Sequence, residues 1–341
     1  MEVKVGKVTL GGLNPIAVQT MWDKPLYRIT NATIKRLKLL EELGCSILRL
    51  ALPGEKDIDA FRKIRKITNL ALVADIHFDY SLALKAMPWV DKIRINPGNI
   101  GASWKVREVF KAAKDYGVAI RIGVNAGSLP AELRKTEDKA LAMLRAAEKE
   151  LSLIKEIDFT QLLFSLKSSD IDTTQRANTL FAEKYDFPLH IGLTEAGPII
   201  PGLIKSTLAL GPLLDRRIGS TIRISLSAKP EYEVIAARQL LKAKGLSENT
   251  PTIISCPTCA RAGFKVMEFL KQHELDLYKI KKNITIAVMG CTVNGPEEAK
   301  HADIGITGAG NSVIIFKKGE ILQKVKPENA GKVFLELLES L

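Results

Sequence analysis

No stretch of the 341 residues comes near the roughly 20 consecutive apolar positions that a bilayer-spanning helix requires. The opening Met-Glu-Val-Lys-Val-Gly-Lys-Val-Thr-Leu alternates like a strand and lacks the apolar block of a signal peptide. A cytoplasmic protein with no membrane partner is therefore expected. Cysteine is scarce: four in the whole chain, three of them at ligand spacing, which excludes a disulfide framework and points to reduced thiols. Low-complexity tracts and Lys/Arg blocks are missing too, which removes the usual footprint of a nucleic-acid binder.

What is present is a chain that is 46% hydrophobic and 26% charged, long enough for a large core and a second, smaller domain. Its net charge of +12 fits an acidic partner or a phosphorylated substrate, and equally a solvated basic surface.

Three cysteines lie between Ser255 and Gly305. Ser-Cys256-Pro-Thr-Cys259 is followed by 30 residues and then Gly-Cys291-Thr-Val-Asn-Gly-Pro-Glu297-Glu298-Ala. A Cys-x-x-Cys pair with a distant third Cys is soft-metal spacing, because two thiolates three residues apart can grip one ion. Both halves read as helix starts, Ser255 and Pro257 before the periodic Phe264, Met267, Phe269 and Leu270, and Gly295 and Pro296 before a pair of acids. Unpaired N–H groups at such starts favour thiolate over thiol. Spacing alone leaves the occupant open. Zinc would take His301 or Glu298 as its fourth ligand; an iron-sulfur cubane would take three cysteines and one harder ligand; buried small hydrophobes are the third reading. Cys45, opening an apolar run, reads as core.

The first two-thirds of the chain repeats one pattern eight times. Apolar β-rich runs at 15–21, 47–52, 71–78, 92–98, 119–125, 159–169, 189–195 and 221–227 alternate with helix-period segments such as Asn31 to Gly44 and Ser103 to Gly117. Parallel strands with crossover helices follow, and eight units in this length predict a closed (β/α)8 TIM barrel. The chain through Val8 is expected to form a hairpin closing the barrel's bottom. The polar, Lys- and Gly-rich stretch from Lys242 to Thr250 marks a boundary near residue 247, giving a substrate-binding barrel over 1–246 and a small α+β cluster-binding domain over 247–341.

In such barrels chemistry sits at the strands' C-terminal ends, where alternate side chains point inward. These ends carry Arg49, then Asp75 and His77, Arg94 and Asn96, Arg121 and Asn125, Ser165 and Lys167, Thr194 and Glu195, and Arg223 and Ser225. Arg49, Arg94, Arg121, Lys167 and Arg223 against Asp75 and Glu195 leave about three uncompensated positive charges, which are costly to bury without an anion. A diphosphate-sized ligand is the matching counter-charge, and Arg grips phosphate oxygens in pairs. Glu195, before Ala-Gly-Pro at a sharp strand exit, is placed for general acid or base work.

These residues also carry a resemblance. Gly11-Gly-Leu-Asn-Pro-Ile-Ala-Val-Gln-Thr-Met, Ala74-Asp-Ile-His-Phe, Arg94-Ile-Asn-Pro-Gly-Asn, Arg121-Ile-Gly-Val-Asn-Ala-Gly-Ser-Leu, Ser165-Leu-Lys-Ser-Ser-Asp, Thr194-Glu-Ala-Gly, Ser255-Cys-Pro-Thr-Cys and Gly290-Cys-Thr-Val-Asn-Gly-Pro run in order along the chain. Together they resemble the 4-hydroxy-3-methylbut-2-enyl diphosphate synthase family (IspG/GcpE) in its bacterial two-domain form. The resemblance implies an oxidoreductase of the non-mevalonate isoprenoid pathway. It opens 2-C-methyl-D-erythritol 2,4-cyclodiphosphate by two-electron reduction to (E)-4-hydroxy-3-methylbut-2-enyl diphosphate, with loss of a hydroxyl as water. It further implies a 4Fe-4S cluster on Cys256, Cys259, Cys291 and Glu298, with Glu195 and Glu298 catalytic. Substrate contacts carry over to Arg49, Asp75, His77, Arg94, Asn96, Arg121, Asn125, Lys167, Thr194, Arg223 and Ser225. An acidic donor, ferredoxin or flavodoxin, and a homodimer complete the expectation.

The chain departs from the family pattern at Glu297, where glycine is usual, at Ser220 in place of Asp, and at Met21-Trp-Asp-Lys-Pro in place of Met-Thr-Asn. Those departures keep a diverged paralogue acting on another phosphorylated substrate in view. A zinc-bearing barrel lyase or hydrolase and a non-catalytic redox sensor are the readings from other classes.

Overall fold

The structure is a computed structural model that describes residues 1–26, 29–76, 79–96, 100–154, 157, 159–257, 259–260 and 262–341. The chain forms two compact units, Met1–Leu246 and Ser247–Leu341.

The first unit opens with an antiparallel hairpin, β1 (Glu2–Val5) and β2 (Val8–Gly11), turned through Gly6 at φ +59°, a left-handed conformation that glycine adopts without strain. Eight parallel strands follow: β3 (Ala17–Met21), β4 (Ile47–Ala51), β5 (Ala71–Asp75), β6 (Lys92–Ile95), β7 (Ala119–Asn125), β8 (Leu162–Lys167), β9 (His190–Ile191) and β10 (Thr221–Ile222). Their order is β8-β7-β6-β5-β4-β3-β10-β9. A parallel bridge from Phe164 to Leu189 joins the two ends, so the sheet closes into the expected barrel. The last two strands have only two residues each, shorter than their apolar runs.

Helices return the chain between strands: α1 (Asn31–Glu42), α2 (Ile58–Arg65), α3 (Tyr80–Ala86), α4 (Ser103–Tyr116), α5 (Lys139–Ile154), α6 (Ile171–Lys184), α7 (Ile199–Asp215) and α8 (Pro230–Ala243). Local chemistry sets their ends. Thr30 and Thr33 form a reciprocal capping box on α1, Asp170 accepts from Thr173 N at 2.7 Å to start α6, and Gly117 in the left-handed region ends α4. The hairpin plugs the barrel's N-terminal end, with Val3, Val5 and Leu10 fully buried against Ala17, Ile47, Ala71, Ala119 and Leu163. Each such side chain contributes about 1.5–3 kcal/mol by leaving water.

The second unit is a five-stranded sheet in sequence order: β11 (Thr252–Ser255), β12 (Thr285–Met289), β13 (Ile304–Ala309), β14 (Ser312–Lys317) and β15 (Glu320–Val325). The first three strands are parallel and the rest antiparallel. Helices α9 (Val266–Lys279) and α10 (Ala330–Glu339) cover one face, where Phe269 and Phe334 meet at 5.8 Å over Ile286, Val288, Ile304 and Ile306. The alternate residues Ala287 and Met289 face a second cluster with Ala299, Ala302 and Phe316, as period-two side chains must. No described helix is long and apolar enough to cross a membrane.

Candidate functional site

Strand register assembles the barrel site. Asp75, Arg94 and Arg121 are successive Cα partners across β5, β6 and β7, and Asn125 partners Lys167 across β7 and β8. Asp75 is buried and accepts from Arg94 Nη1 at 3.1 Å, while Arg49 Nε lies 3.7 Å from its other oxygen. Arg94 lies across Gly123, where a Cβ would stand 2.8 Å from Nε, so a larger residue there would displace the guanidinium. Arg223 is clamped through Nε and Nη2 by Glu233 at 3.0 and 2.9 Å, and Thr20 Oγ1 donates to the same carboxylate at 2.7 Å.

The remaining cations are less well matched. Arg121 is 1% exposed, and among the described residues its Nε and Nη1 have no hydrogen-bond partner; Arg49 Nε and Arg94 Nε are orphaned likewise. Buried donors left so cost about 1–3 kcal/mol each. Lys167 Nζ meets His190 Nε2 at 3.0 Å, and His190 Nδ1 meets Thr221 Oγ1 at 3.1 Å. Below them Lys92, fully buried, reaches Gln19 Oε1 at 3.4 Å.

Burial and crowding of like charges shift these groups in one direction. Burial first, then neighbouring arginines, pushes Lys92, Lys167 and Arg121 well below their ordinary values. Arg49 is brought down by burial to about 10, against the pull of Asp75. Burial, then the Lys167 charge, keeps His190 neutral. Six cations (Arg49, Lys92, Arg94, Arg121, Lys167 and Arg223) thus face two carboxylates, Asp75 and Glu233. Orphaned guanidinium donors with excess positive charge are the chemistry that suits a multiply charged anion.

Of the residues picked from strand ends, Asn96, Asn125, Thr194 and Ser225 are half-buried, and Asn96 Nδ2 donates to Ser128 Oγ at 3.4 Å. Ser165 is buried on β8. Glu195 does not join the buried charges: it is exposed, on a backbone at φ +54°, which non-glycine residues rarely adopt outside functional turns. His77 lies outside the described residues. Sequence reasoning missed Lys92, His190 and Glu233. Lys92 stands two before Arg94 on one strand and was legible from period two; His190 is the lone polar residue in Leu-His-Ile; Glu233 reaches in from α8, where strand alternation gives no signal.

In the second unit Ser255 ends β11 beside Val288 of β12, so Cys256 and Cys291 follow the ends of adjacent parallel strands. Cys256 Sγ accepts from Gly290 N at 3.1 Å, and a Cβ at Gly290 would stand 3.5 Å from that sulfur and 3.2 Å from Ala262 Cβ. Cys291 donates to Asn294 Oδ1 at 3.2 Å, and Asn294 Nδ2 donates to Glu298 Oε2 at 2.6 Å. Cys259 is exposed, and Cys45 is buried apart, its thiol pushed up to about 12 by burial. Among the described residues no three Cys, His, Asp or Glu side chains are already gathered at metal-binding separation.

Neither cysteine segment starts a regular helix, contrary to the sequence expectation. Gly263 N and Phe264 N both donate to Gly290 O, which holds that segment along the end of β12 until α9 begins at Val266. Gly295 and Pro296 lie inside a wide π-type turn, Val293–Glu298, kinked at Gly295 with ψ −108°.

The comparisons agree with one another. The family described as the GcpE TIM-barrel domain matches residues 1–238, and that described as the GcpE protein C-terminal domain matches 252–340. The chain is 47% identical to a 4-hydroxy-3-methylbut-2-en-1-yl diphosphate synthase (flavodoxin) of Treponema denticola, covering 99% of this chain and 96% of the relative. The proteins of the same name from Geobacillus thermodenitrificans (47%; 96% and 88% covered) and Thermodesulfovibrio yellowstonii (46%; 98% and 97%) are similar. Among solved structures a Yersinia pestis dihydropteroate synthase superimposes with TM-score 0.53 at 10% identity, over 72% of this chain and all of that one, a likeness of fold alone.

Proposed function

The chain belongs to the GcpE family, whose relatives are 4-hydroxy-3-methylbut-2-en-1-yl diphosphate synthases, and from that premise we propose how its residues perform the reaction. It is an oxidoreductase: the cyclic 2,4-diphosphate of 2-C-methyl-D-erythritol takes up two electrons and two protons, its ring C–O bond opens, a hydroxyl leaves as water, and the linear allylic diphosphate is formed. The observation that carries the site assignment is the buried Arg121, whose Nε and Nη1 have no hydrogen-bond partner among the described residues, set among five other cations, a place that a strongly anionic group would balance.

On this reading Arg49, Arg94, Arg121, Lys167 and Arg223 bind the diphosphate, and Asp75, bridging Arg49 and Arg94, sets their orientation. Asn96, Asn125, Thr194, Ser225 and His77 address the carbon skeleton's oxygens. Glu195, held exposed at the exit of the seventh barrel strand, supplies the proton that accompanies departure of the hydroxyl.

Cys256, Cys259, Cys291 and Glu298 are the ligands for the family's 4Fe-4S cluster, and the fit is chemical: three thiol sulfurs and a carboxylate, an N–H aimed at one sulfur, and a bare Gly290 beside it. When bound, that group supplies electrons singly and Lewis acidity. Asn294 ties Cys291 to Glu298 and so selects Glu298 over Glu297 as the fourth ligand. Flavodoxin, in the relatives' name, is the donor that fits the +12 charge; a cytoplasmic homodimer belongs to the same reading. Anaerobic incubation of iron-loaded protein with a reductant and the cyclic diphosphate tests it. The linear diphosphate is the expected product, and its absence from reduced, fully loaded enzyme overturns the reading.

A further inference from the structure

Among the described residues, Lys167 is the one diphosphate-binding cation that hydrogen-bonds a neutral ring, that of His190. With an anion bound, Lys167 is an ammonium that can only donate, so His190 Nε2 must then present a lone pair; the ring proton sits on Nδ1 and is donated to Thr221 Oγ1. His190 and Thr221 are Cα partners on β9 and β10, both fully buried, which fixes the ring in the plane that serves Lys167. From the other side the ammonium rests over Gly192, where a Cβ would stand 2.7 Å from Nζ. A flexible four-carbon chain is thereby held at one spot, with two N–H donors unspent among the described residues.

We propose that His190, oriented by Thr221, is a positioning residue that pins the Lys167 ammonium in place for the substrate's diphosphate. The inference rests on the anion-site reading above. Its logic is pre-organisation: a lysine already ordered loses little freedom when the anion arrives, so the effect falls on affinity. The bond-making steps do not involve the ring, so kcat is spared.

Asparagine at 190 places an amide near the ring's Nδ1 and leaves the Lys167 side empty; glutamine reaches the Nε2 position with an acceptor. His190→Asn is expected to raise both KM for the cyclic diphosphate and the calorimetric Kd for inorganic pyrophosphate by about ten-fold, the scale of one lost charge-assisted hydrogen bond. His190→Gln is expected to recover most of that, and Thr221→Val to shift affinity in the same direction as asparagine, with kcat within about twofold throughout. Equal losses in the asparagine and glutamine variants, or a lowered melting temperature with KM and Kd unchanged, would overturn the role. If asparagine does not fold, the glutamine and Thr221→Val comparison decides alone, unchanged KM in Thr221→Val counting against it. Wild-type protein that binds neither pyrophosphate nor the cyclic diphosphate would overturn the anion-site reading itself, a failure visible before any variant is made.

Discussion

Arg94 and Arg121 are Cα partners on adjacent parallel strands, and both guanidinium groups are buried inside the barrel. Two like charges held in neighbouring register are a liability to the empty protein and an asset only to an anion-bound one. That conflict is measurable.

Arg121→Met should raise the stability of ligand-free protein by about 1–3 kcal/mol, since a buried cation without a partner is exchanged for an apolar chain of similar length. The same change should lower turnover by about a hundred-fold or more through loss of a paired grip on phosphate. Thermal melts and steady-state kinetics read the two effects. A destabilised variant would show that Arg121 is already compensated.

Stability of the ligand-free protein should rise with pH between about 7 and 9. Lys92 and Lys167 lie well below their ordinary values in the folded state, so the unfolded chain binds more protons in this window and loses that advantage as pH rises. The window avoids two opposing groups: Glu150, raised by burial to about 7, weakens the fold as pH climbs toward 7, and Cys45, raised to about 12, does so above 9. Saturating pyrophosphate should flatten the slope. Denaturant melts across the window, with and without the anion, check it.

Alkylation should sort the four thiols. In metal-free protein at pH 8, iodoacetamide should modify exposed Cys259 first and spare Cys45, which is buried with its thiol held near 12. Peptide mass spectrometry gives the order. In loaded protein Cys256, Cys259 and Cys291 should all be protected, and serine at any of the three should abolish the cluster's absorbance while Cys45→Ser retains it.

The paired acids should separate cleanly. Both acids are exposed, but Glu298 receives the Asn294 amide that also faces Cys291, with Glu297 beside it in the place where the family usually has glycine. Glu297→Gly should keep cluster and most turnover; Glu298→Gln should keep part of the iron and lose most turnover. Iron analysis together with activity tests the pair, and equal behaviour of the two variants would show that the ligand has shifted.

Much of this was legible before any coordinates. Parallel strands announce themselves as apolar runs, and strand ends carried Arg49, Arg94, Arg121, Lys167 and Arg223 at positions two-residue alternation aims inward. The cysteine segments were misread as helix starts because their fate depends on Gly290 O, a partner distant in sequence that takes the N–H groups of Gly263 and Phe264. Glu233 escaped for a similar reason. Its carboxylate clamps Arg223 from a helix, and no strand periodicity reports a side chain that arrives from outside the strand.

The β1–β2 hairpin closes the barrel's N-terminal end. With Val3, Val5 and Leu10 sealed beneath the strands, a molecule that enters at the strands' C-terminal ends leaves by the same route. On the proposed reading, substrate and product both carry the diphosphate that the arginines hold. Traffic through one doorway therefore sets them against each other, and the linear diphosphate is expected to inhibit competitively with the cyclic one.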